Sequence, residues 1–332
     1  MQLKRKTAFV GDSGHIGRVY GRGRLERVAE LTDLVPGVIR AADLALGTDV
    51  LEDVEVIFST WGMPMITSER LEQLPNLKVV FYAAGSVQHF ARPLLNRGIT
   101  VVSAWQANAV PVAEFALAQV LLSMKRYWQN ARECVSPLGW REASSGPGAF
   151  GETVAILGSG AVGRALINLL KRFDLDIVVF DPFLADEQAV EMGVARVSLA
   201  EAFARGFVVS NHLADKPETV KMIGLDHFTR MRDGATFINT GRGATVDEAA
   251  LAAVFRDRPS LTALLDVTYP EPPEAGSPLY ELPNVHLSSH IAGAVGDEVI
   301  RMADFCIEQF VAWDAGNVPK GSVSLDMLET MA

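Results

Sequence analysis

Three side chains able to hold an anion and move a proton lie in the second half of the chain. Arg242, Glu271 and His290 each follow a short apolar run that predicts a strand. An arginine fork binds a carboxylate, and a carboxylate beside an imidazole favours the protonated ring. Reduction of a 2-oxo acid needs a cation for the carboxylate and a proton donor for the carbonyl oxygen. Because open α/β sheets bind ligands at the carboxyl ends of their strands, we expect these side chains at one sheet edge.

Each of these residues also has an ordinary structural explanation when it is taken alone. An arginine before a glycine is often solvent-facing, an acid between prolines is often a plain loop residue, and a histidine is often half-buried and hydrogen-bonded. Their occurrence together, behind a glycine turn of the kind that binds dinucleotides, favours the chemical interpretation.

That glycine turn joins a predicted strand to a predicted helix at residues 158–163. Gly158 permits a tight turn, Gly160 lets the backbone approach a pyrophosphate, and Gly163 allows the helix to pack closely on the strand. The helix N-terminus faces the anion. A chance glycine cluster in a loop is the alternative, and the flanking strand and helix argue against it. The predicted cofactor contacts here are Gly158, Gly160, Ala161, Val162 and Gly163.

Asp181 ends the next predicted strand. Its distance along the chain from the glycine turn suits the acid that binds the adenosine ribose, and a carboxylate there repels a 2′-phosphate. We therefore expect NAD in preference to NADP, although the nearby Arg172 would soften that discrimination. A strand-end aspartate that caps a turn is the ordinary alternative.

A second glycine cluster, Gly11–Gly17, follows the first predicted strand. Its spacing is G-x-x-G-x-x-G instead of G-x-G-x-x-G, and Asp12 opposes a phosphate. We do not expect it to bind a dinucleotide.

The composition is that of an ordinary globular protein, with 49% hydrophobic and 21% charged residues among 332. This length exceeds the size at which one core usually stops growing, so two domains are expected. The net charge of −10 argues against nucleic acid or an anionic membrane as a partner. Cys134 and Cys306 suit a reducing compartment, and no metal site is expected. The apolar runs are too short for a signal sequence or a membrane-spanning helix. We expect a cytoplasmic protein.

Two series of short apolar runs alternate with helical stretches, which predicts an α/β fold of two doubly wound parallel-sheet domains with a cleft between them. The strands predicted in the first series are Thr7–Val10, Val54–Ser59, Leu77–Tyr82 and Thr100–Ser103. Those in the second are Thr153–Leu157, Ile177–Phe180, Phe207–Asn211, Ala235–Asn239, Leu261–Asp266 and Val285–Leu287. Ser198 and Thr245 are each followed three residues later by glutamate, which predicts capping boxes at two helix starts.

Over almost its whole length the chain resembles the D-isomer-specific 2-hydroxyacid dehydrogenases. The matching motifs are Asn108-x-x-x-Val112-Ala113-Glu114, the glycine turn with Asp181, Asn239-x-x-Arg242-Gly243-x-x-Val246-Asp247-x-x-Ala250-Leu251, Asp266-Val267-x-x-x-Glu271-Pro272, and His290-Ile291-x-Gly293. The resemblance implies an NAD-dependent oxidoreductase that transfers a hydride between the nicotinamide and C2 of a small 2-hydroxy or 2-oxo acid.

The sequence pattern also predicts a domain arrangement. The final amphipathic helix would return to the first domain, giving a discontinuous flavodoxin-like substrate-binding domain, residues 1–104 and 296–332. Residues 105–295 would form a Rossmann NAD-binding domain, with a buried helix from Val110 to Met124 near the junction.

Carried over residue by residue, the resemblance implies that Arg242 binds the substrate carboxylate and carbonyl, and that His290 is the acid/base with Glu271 as its partner. Asp266 would contact the nicotinamide carboxamide. The residues lining the cofactor would include Thr240, Arg242, His290 and Gly293. Backbone amides of a first-domain loop would cover the carboxylate, at Ala84, Gly85 and Ser86.

The chain departs from the family pattern where the substrate is concerned. Gln88 and His89 replace a common aspartate or asparagine, Ala214 replaces a usual proline, and Thr268-Tyr269 replaces a Phe-containing pair. Bulky residues on predicted strand-end loops motivate the hypothesis of an apolar or aromatic substrate tail, with core or interdomain packing as the alternative. These residues are Trp61, Met63, Trp105 and Tyr269.

Other functions share this fold. A formate dehydrogenase has glutamine where this chain has Glu271, which disfavours that activity, and phosphite oxidation stays open without special support. An NAD-sensing, corepressor-like binding protein is the alternative from another class, but the chain lacks a basic or disordered tail. The resemblance also implies a homodimer, with Tyr127, Trp128 and Trp140 as candidate anchors.

Overall fold

The computed structural model describes residues 3–46 and 49–330. The chain divides into two compact units, one of residues 1–108 with 294–332 and one of residues 109–293. The sequence placed these boundaries at 104/105 and 295/296. Asn108 Oδ1 accepts a hydrogen bond from Ala294 N at 3.2 Å, which joins the two segments of the first unit. Residues 1–2, 47–48 and 331–332 of the expected substrate domain lie outside the described residues.

A five-stranded parallel sheet organises the first unit. Its strands are β1 (Lys6–Val10), β2 (Asp33–Ile39), β3 (Val56–Ser59), β4 (Val79–Tyr82) and β5 (Thr100–Ser103), in the order β2-β1-β3-β4-β5. This is the flavodoxin-like order, and it confirms the predicted class. The sequence prediction missed β2 because Pro36 and Gly37 interrupt its apolar pattern. A proline is tolerated there because β2 is an edge strand.

A seven-stranded parallel sheet organises the second unit. Its strands are β6 (Phe150–Leu157), β7 (Asp174–Phe180), β8 (Ala195–Arg196), β9 (Val208–Asn211), β10 (Thr236–Asn239), β11 (Thr262–Leu265) and β12 (Val285–Leu287), in the order β12-β11-β10-β9-β6-β7-β8. The run from β8 to β11 has the strand order of a dinucleotide-binding fold, and β12 extends it. The prediction missed β8, whose two exposed residues carry no alternating pattern.

Helices connect the strands of both sheets. In chain order they are α1 (Ser13–Val19), α2 (Arg24–Leu31), α3 (Ala41–Leu46), α4 (Asp49–Glu52), α5 (Ser68–Glu72), α6 (Ala91–Asn96), α7 (Trp105–Met124), α8 (Tyr127–Glu133), α9 (Pro137–Glu142), α10 (Ala161–Leu170), α11 (Asp186–Glu191), α12 (Leu199–Arg205), α13 (Leu225–Phe228), α14 (Glu248–Asp257), α15 (Ile300–Asp314) and α16 (Leu325–Thr330). Short 3-10 turns occur at Pro217–Thr219, Gly243–Thr245, Pro278–Tyr280 and Gly296–Val299.

Both sheets are buried on their two faces. Every residue of β3, β4, β9, β10 and β11 is buried, as expected for parallel strands covered by helices on each side. In the first unit, Phe58 stacks on Phe81 at 5.2 Å between ring centroids, and Phe310 from α15 packs on Phe58 at 5.6 Å. The last long helix therefore completes the core of the first unit.

By length and composition, α7 is the one described helix that is long and apolar enough to cross a membrane, with a mean hydropathy of 1.4. The sequence prediction considered only uninterrupted apolar runs and missed this. The core helix of a globular protein can have the same length and composition. Ala113, Ala116, Val120 and Met124 of α7 belong to the core of the second unit.

One of the two predicted capping boxes is confirmed. The Ser198 hydroxyl accepts from Glu201 N at 3.2 Å, and the Glu201 carboxylate accepts from Ser198 N at 2.8 Å. The capping box predicted at Thr245 is wrong, because the N-cap of α14 is Asp247, two residues further along the chain. Asp247 Oδ1 accepts from Ala250 N at 3.2 Å, which leaves Glu248 for another contact.

Candidate active site

The glycine turn after β6 has the local geometry of a phosphate-binding turn. Gly158 has φ +92°, and a Cβ on it would lie 2.9 Å from His212 O. A Cβ on Gly163 would lie 2.0 Å from Gly158 O, so α10 packs too closely on the turn for any side chain there. A Cβ on Gly160 would meet nothing within 4 Å. The turn therefore has open space beside the N-terminus of α10, which begins with Ala161 and Val162.

Asp181 follows β7 and faces this turn. Its Oδ2 accepts from both the N–H and the hydroxyl of Ser159, each at 2.7 Å, and its Oδ1 accepts from Phe183 N at 2.8 Å. These donors fix the carboxylate in one orientation beside the glycine turn. The sequence predicted the position of Asp181, and its clamp by Ser159 was not anticipated.

His212 is a partly buried residue of this site that the sequence prediction did not single out. Its Nε2 lies 2.9 Å from Ser210 Oγ and its Nδ1 lies 3.0 Å from Thr240 Oγ1. Burial lowers the pKa of His212 to about 4, so the ring is neutral at ordinary pH. It thereby joins the end of β9 to Thr240, one of the predicted cofactor contacts. The signal in the sequence was a histidine directly after a buried strand.

Arg242 lies just beyond the end of β10, in a turn built by buried amides. Asn239 Oδ1 accepts from Asn211 Nδ2 at 3.0 Å and from Gly241 N at 3.1 Å. Thr245 Oγ1 donates to Arg242 O at 2.7 Å. These bonds fix the backbone on both sides of Arg242.

The Arg242 side chain is half-buried and, among the described residues, makes a single hydrogen bond, to Gly241 O at 2.8 Å. It forms no ion pair with any carboxylate in the described parts of the chain. A half-buried guanidinium without a carboxylate keeps its other N–H groups available for an anionic ligand.

Glu271 and His290 form the predicted pair. His290 Nδ1 lies 2.7 Å from Glu271 Oε1. Because a carboxylate only accepts, Nδ1 is the protonated nitrogen and Nε2 is left to take up or release a proton. Both side chains are about half exposed, at 51% and 42%, so solvent and ligands can reach the pair.

Asp266 holds the segment that carries His290. Its buried carboxylate accepts from Ser288 Oγ at 2.6 Å, from Ile291 N at 2.9 Å and from Ala292 N at 2.9 Å. Its backbone carbonyl accepts from His290 N at 3.0 Å. The structure therefore gives Asp266 a supporting role that the sequence did not predict, and its implied contact with the nicotinamide stays a prediction. Gly293 ends this segment and the second unit.

The loop that carries Glu271 begins against Gly243. A Cβ on Gly243 would lie 2.0 Å from Thr268 C, so only glycine allows this approach. Glu248, freed from the predicted capping box, accepts from Tyr269 N at 2.7 Å. Burial raises the pKa of Glu248, and this hydrogen bond opposes the rise. Glu248 therefore ties the start of α14 to the loop.

The first unit carries the other predicted substrate contacts, in the loop after β4. Ala84 is buried, and Gly85 and Ser86 are half-buried. Thr60 Oγ1 donates to Ala83 O at 2.7 Å, which ties the start of this loop to the end of β3.

Asp12 in the other glycine cluster, Gly11–Gly17, accepts from His15 N at 2.9 Å and caps α1.

The bulky residues behind the apolar-tail hypothesis do not share one environment. Met63 is 4% exposed and belongs to the core of the first unit, so it is not available to a ligand. Trp61 and Trp105 are partly buried against the same core, and the Arg18 guanidinium lies 5.6 Å from the Trp61 ring. Tyr269 is exposed. Packing explains three of the four residues.

No group of three or more His, Cys, Asp or Glu side chains suitable for a metal ion occurs among the residues that the structure describes. The residues at the carboxyl ends of the strands in the second unit fit a dinucleotide. Open space at Gly160, free helix N–H groups and an oriented acid at Asp181 are the features such a group requires.

Comparison with known proteins identifies the family. The profile of the D-isomer specific 2-hydroxyacid dehydrogenase, NAD binding domain, matches residues 117–292, which is more than half of the chain. The chain therefore belongs to the D-isomer-specific 2-hydroxyacid dehydrogenase family. The predicted family and fold class are confirmed.

Several relatives show how far the likeness extends. The chain is 29% identical to a glyoxylate reductase from Korarchaeum cryptofilum, over 84% of this chain and 85% of that protein. It is also 29% identical to a D-3-phosphoglycerate dehydrogenase from Archaeoglobus fulgidus, and it spans about half the length of that protein. A solved NADPH-dependent glyoxylate/hydroxypyruvate reductase from Sinorhizobium meliloti has the same fold, with a TM-score of 0.73, 24% identity and 99% coverage of each chain.

Proposed function

We propose that this protein is an NAD-dependent oxidoreductase that transfers a hydride between the nicotinamide and C2 of a small 2-hydroxy or 2-oxo acid. The observation that carries the proposal is the pairing of His290 with Glu271 at 2.7 Å, in a unit where Arg242 has no carboxylate partner among the described residues. Family membership supports the same chemistry.

Each residue has a distinct part in this proposal. Arg242 binds the carboxylate and polarises the carbonyl of the substrate. Glu271 keeps the His290 imidazole oriented, so that Nε2 donates a proton to the carbonyl oxygen during reduction and takes one from the hydroxyl during oxidation. In the first unit, the backbone amides of Ala84, Gly85 and Ser86 bind the substrate carboxylate.

The dinucleotide supplies or accepts the hydride when it is bound. We propose that Gly158, Gly160 and the N-terminus of α10 hold its pyrophosphate, and that Thr240, Asp266 and Gly293 line the nicotinamide side. The orientation of Asp181 favours a ribose with a free 2′-hydroxyl and therefore NAD. The Sinorhizobium relative uses NADPH, so both cofactors belong in the test.

We further propose a homodimer formed through the segment Tyr127–Trp140. Tyr127 is 51% exposed and Trp140 is 74% exposed. Trp128, the third expected anchor, packs against the core of the second unit instead. Exposed aromatic side chains are typical of interface anchors.

The test is NADH oxidation with glyoxylate, hydroxypyruvate, pyruvate, 2-oxoglutarate and phenylpyruvate, with NADPH in parallel. We expect turnover of at least one acid, preferentially with NADH. His290→Ala should lower kcat about 10²- to 10⁴-fold, since it removes the proton donor. Arg242→Ala should lower kcat/KM about 10²- to 10³-fold. Arg256→Ala, an exposed arginine of α14, is the matched control and should leave turnover unchanged.

The outcomes separate the proposal from its alternative. Full activity in His290→Ala would contradict the assignment of the acid/base, and a preference for NADPH would contradict the role given to Asp181. Binding of NADH without turnover of any acid would favour an NAD-sensing protein, and NADH-dependent capture of peptide ligands would then test that function.

A further inference from the structure

The loop after β4 presents backbone N–H groups without acceptors. The N–H groups of Ala84, Gly85 and Ser86 donate no hydrogen bond to any residue within 3–46 and 49–330. Backbone N–H groups near a protein core are nearly always paired, so this loop is suited to an anionic ligand. Contacts on the opposite side of the same peptides hold the loop in this conformation.

Ser103, the last residue of β5, binds the carbonyl side of the loop. Its buried hydroxyl lies 2.6 Å from Gly85 O and 3.0 Å from Ala84 O. In a trans peptide the C=O and the following N–H point in opposite directions within one plane. Drawing the carbonyls of Ala84 and Gly85 towards Ser103 therefore turns the N–H groups of Gly85 and Ser86 away from it, side by side.

The segment Gly321–Leu328, which we term the C-terminal strap, holds Ser103 and the loop together. Gly321 O accepts from Ser103 N at 2.9 Å, and Val323 N donates to Val101 O at 2.8 Å. Gly321 has φ +77°, and a Cβ on it would lie 2.5 Å from Ser103 O, so the strap approaches β5 as closely as a glycine allows.

The other end of the strap contacts the loop directly. Gln88 Nε2 donates to Leu328 O at 2.7 Å. Val323 and Leu328 are buried in the same core cluster as Ala84 and Val87. The strap therefore binds the loop at both ends, through Ser103 and through Gln88.

We propose that Ser103 and the C-terminal strap are positioning elements that hold the Gly85 and Ser86 amides ready for the carboxylate of the substrate. The proposal rests on the function proposed above. Neither Ser103 nor the strap contacts the reacting atoms in this account. Their loss should therefore weaken substrate binding while the hydride step and cofactor binding persist.

The test compares Ser103→Ala with Ser59→Ala. Ser59 is also buried at a strand end of this sheet and donates to a backbone carbonyl, Val10 O at 2.5 Å, without touching the carbonyls of Ala84 or Gly85. Ser103→Ala should raise the KM of the best 2-oxo acid about three- to tenfold, the equivalent of one lost hydrogen bond, with kcat and the Kd of NADH within about twofold of wild type. Ser59→Ala should leave all three unchanged, although its stability falls similarly.

Gln88→Ala is the second variant, because Gln88 is exposed and its replacement does not disturb the core. It should raise the same KM in the same direction, by about two- to fivefold. Hydrogen exchange provides a readout independent of turnover: the amides of Phe90 and Ala91, which donate to Val87 O, should exchange faster in Ser103→Ala and Gln88→Ala than in Ser59→Ala.

These measurements distinguish failure of this proposal from failure of the proposed function. Unchanged KM and unchanged exchange in both variants, in an active enzyme, would overturn the positioning role. Faster exchange together with a wild-type protein that turns over no 2-oxo acid would support the positioning role and contradict the function. An equal rise in KM with Ser59→Ala would reduce the effect to general destabilisation and overturn the proposal.

Discussion

His290 adopts a backbone conformation that is uncommon for a residue with a side chain, at φ +55°. The left-handed region costs such a residue roughly 1–2 kcal/mol, so neighbouring contacts must maintain it. Asp266 provides them by accepting from His290 N through its carbonyl and from Ile291 N and Ala292 N through its carboxylate. The direction of the imidazole is therefore set by a residue that lies on another strand end.

His212 gives a prediction at the same scale. Burial lowers its pKa from 6.5 to about 4, so between these values the unfolded chain binds a proton that the folded chain does not. The neutral ring therefore makes its full contribution to the free energy of unfolding above about pH 6.5. As the pH falls towards 4, the free energy of unfolding decreases by up to roughly 3 kcal/mol. His212→Asn should remove this part of the pH dependence.

The measurement is urea unfolding of wild type and His212→Asn between pH 4 and pH 8. Other histidines titrate in both proteins and cancel in the difference. The destabilisation caused by the substitution should be largest at neutral pH and should shrink as the pH falls. Parallel stability curves would show that His212 is not the titrating group.

At the scale of elements, two glycines that follow strands of the second sheet serve different purposes. Gly243 lies against the backbone of Thr268, whereas Gly160 borders open space. Gly243→Ala must displace the loop that carries Glu271, which should cost about 1–3 kcal/mol of stability and lower kcat. Gly160→Ala has no close neighbour, and its φ of −68° suits alanine. It should therefore retain stability and lose affinity for NADH.

Thermal unfolding and NADH fluorescence titration of the two variants check this contrast. Equal destabilisation of both would contradict the structural role of Gly243. Wild-type affinity for NADH in Gly160→Ala would contradict the placement of the pyrophosphate.

The sequence predicted most of these elements because buried parallel strands give continuous apolar runs. The predicted and observed bounds agree for β5 and β12, and differ by one to three residues elsewhere. The wrong predictions have identifiable causes. Pro36 and Gly37 interrupt the apolar pattern of β2, and Asp247, not Thr245, is the N-cap of α14. A local motif does not reveal which of two nearby candidates tertiary contacts will select.

Some residues of the candidate site were predictable from the sequence and others were not. Arg242, Glu271, His290 and the glycine turn were predictable because their chemistry and order follow a motif. Ser103, His212 and Glu248 were not, because each acts through a partner distant in sequence. Their contacts, to Gly85 O, Thr240 Oγ1 and Tyr269 N, exist only once the strand ends are placed side by side.

At the scale of the whole molecule, the homodimer is the proposal most open to direct test. Trp140 lies exposed in α9, next to Leu138 at 62% exposure. Trp140→Asp places a charge in the proposed contact and should raise the dimer dissociation constant at least tenfold, since buried aromatic anchors contribute about 2 kcal/mol or more. Val190→Asp, an equally exposed apolar residue of α11, is the control.

Sedimentation velocity over a concentration series measures this effect. The wild type and Val190→Asp should sediment as dimers at concentrations where Trp140→Asp is monomeric. A wild type that is monomeric at all concentrations would remove the dimer, and an unaffected Trp140→Asp would move the contact elsewhere on the surface.

The most direct test of the central claim is hydride transfer itself. NADH carrying two deuterium atoms at nicotinamide C4 is incubated with the best acid of the panel, and the product is examined by mass spectrometry. We predict one deuterium at C2 of the hydroxy acid per turnover in the wild type, and a product yield in His290→Ala that falls with its loss of kcat. A product without deuterium, or an undiminished yield in His290→Ala, would contradict the account.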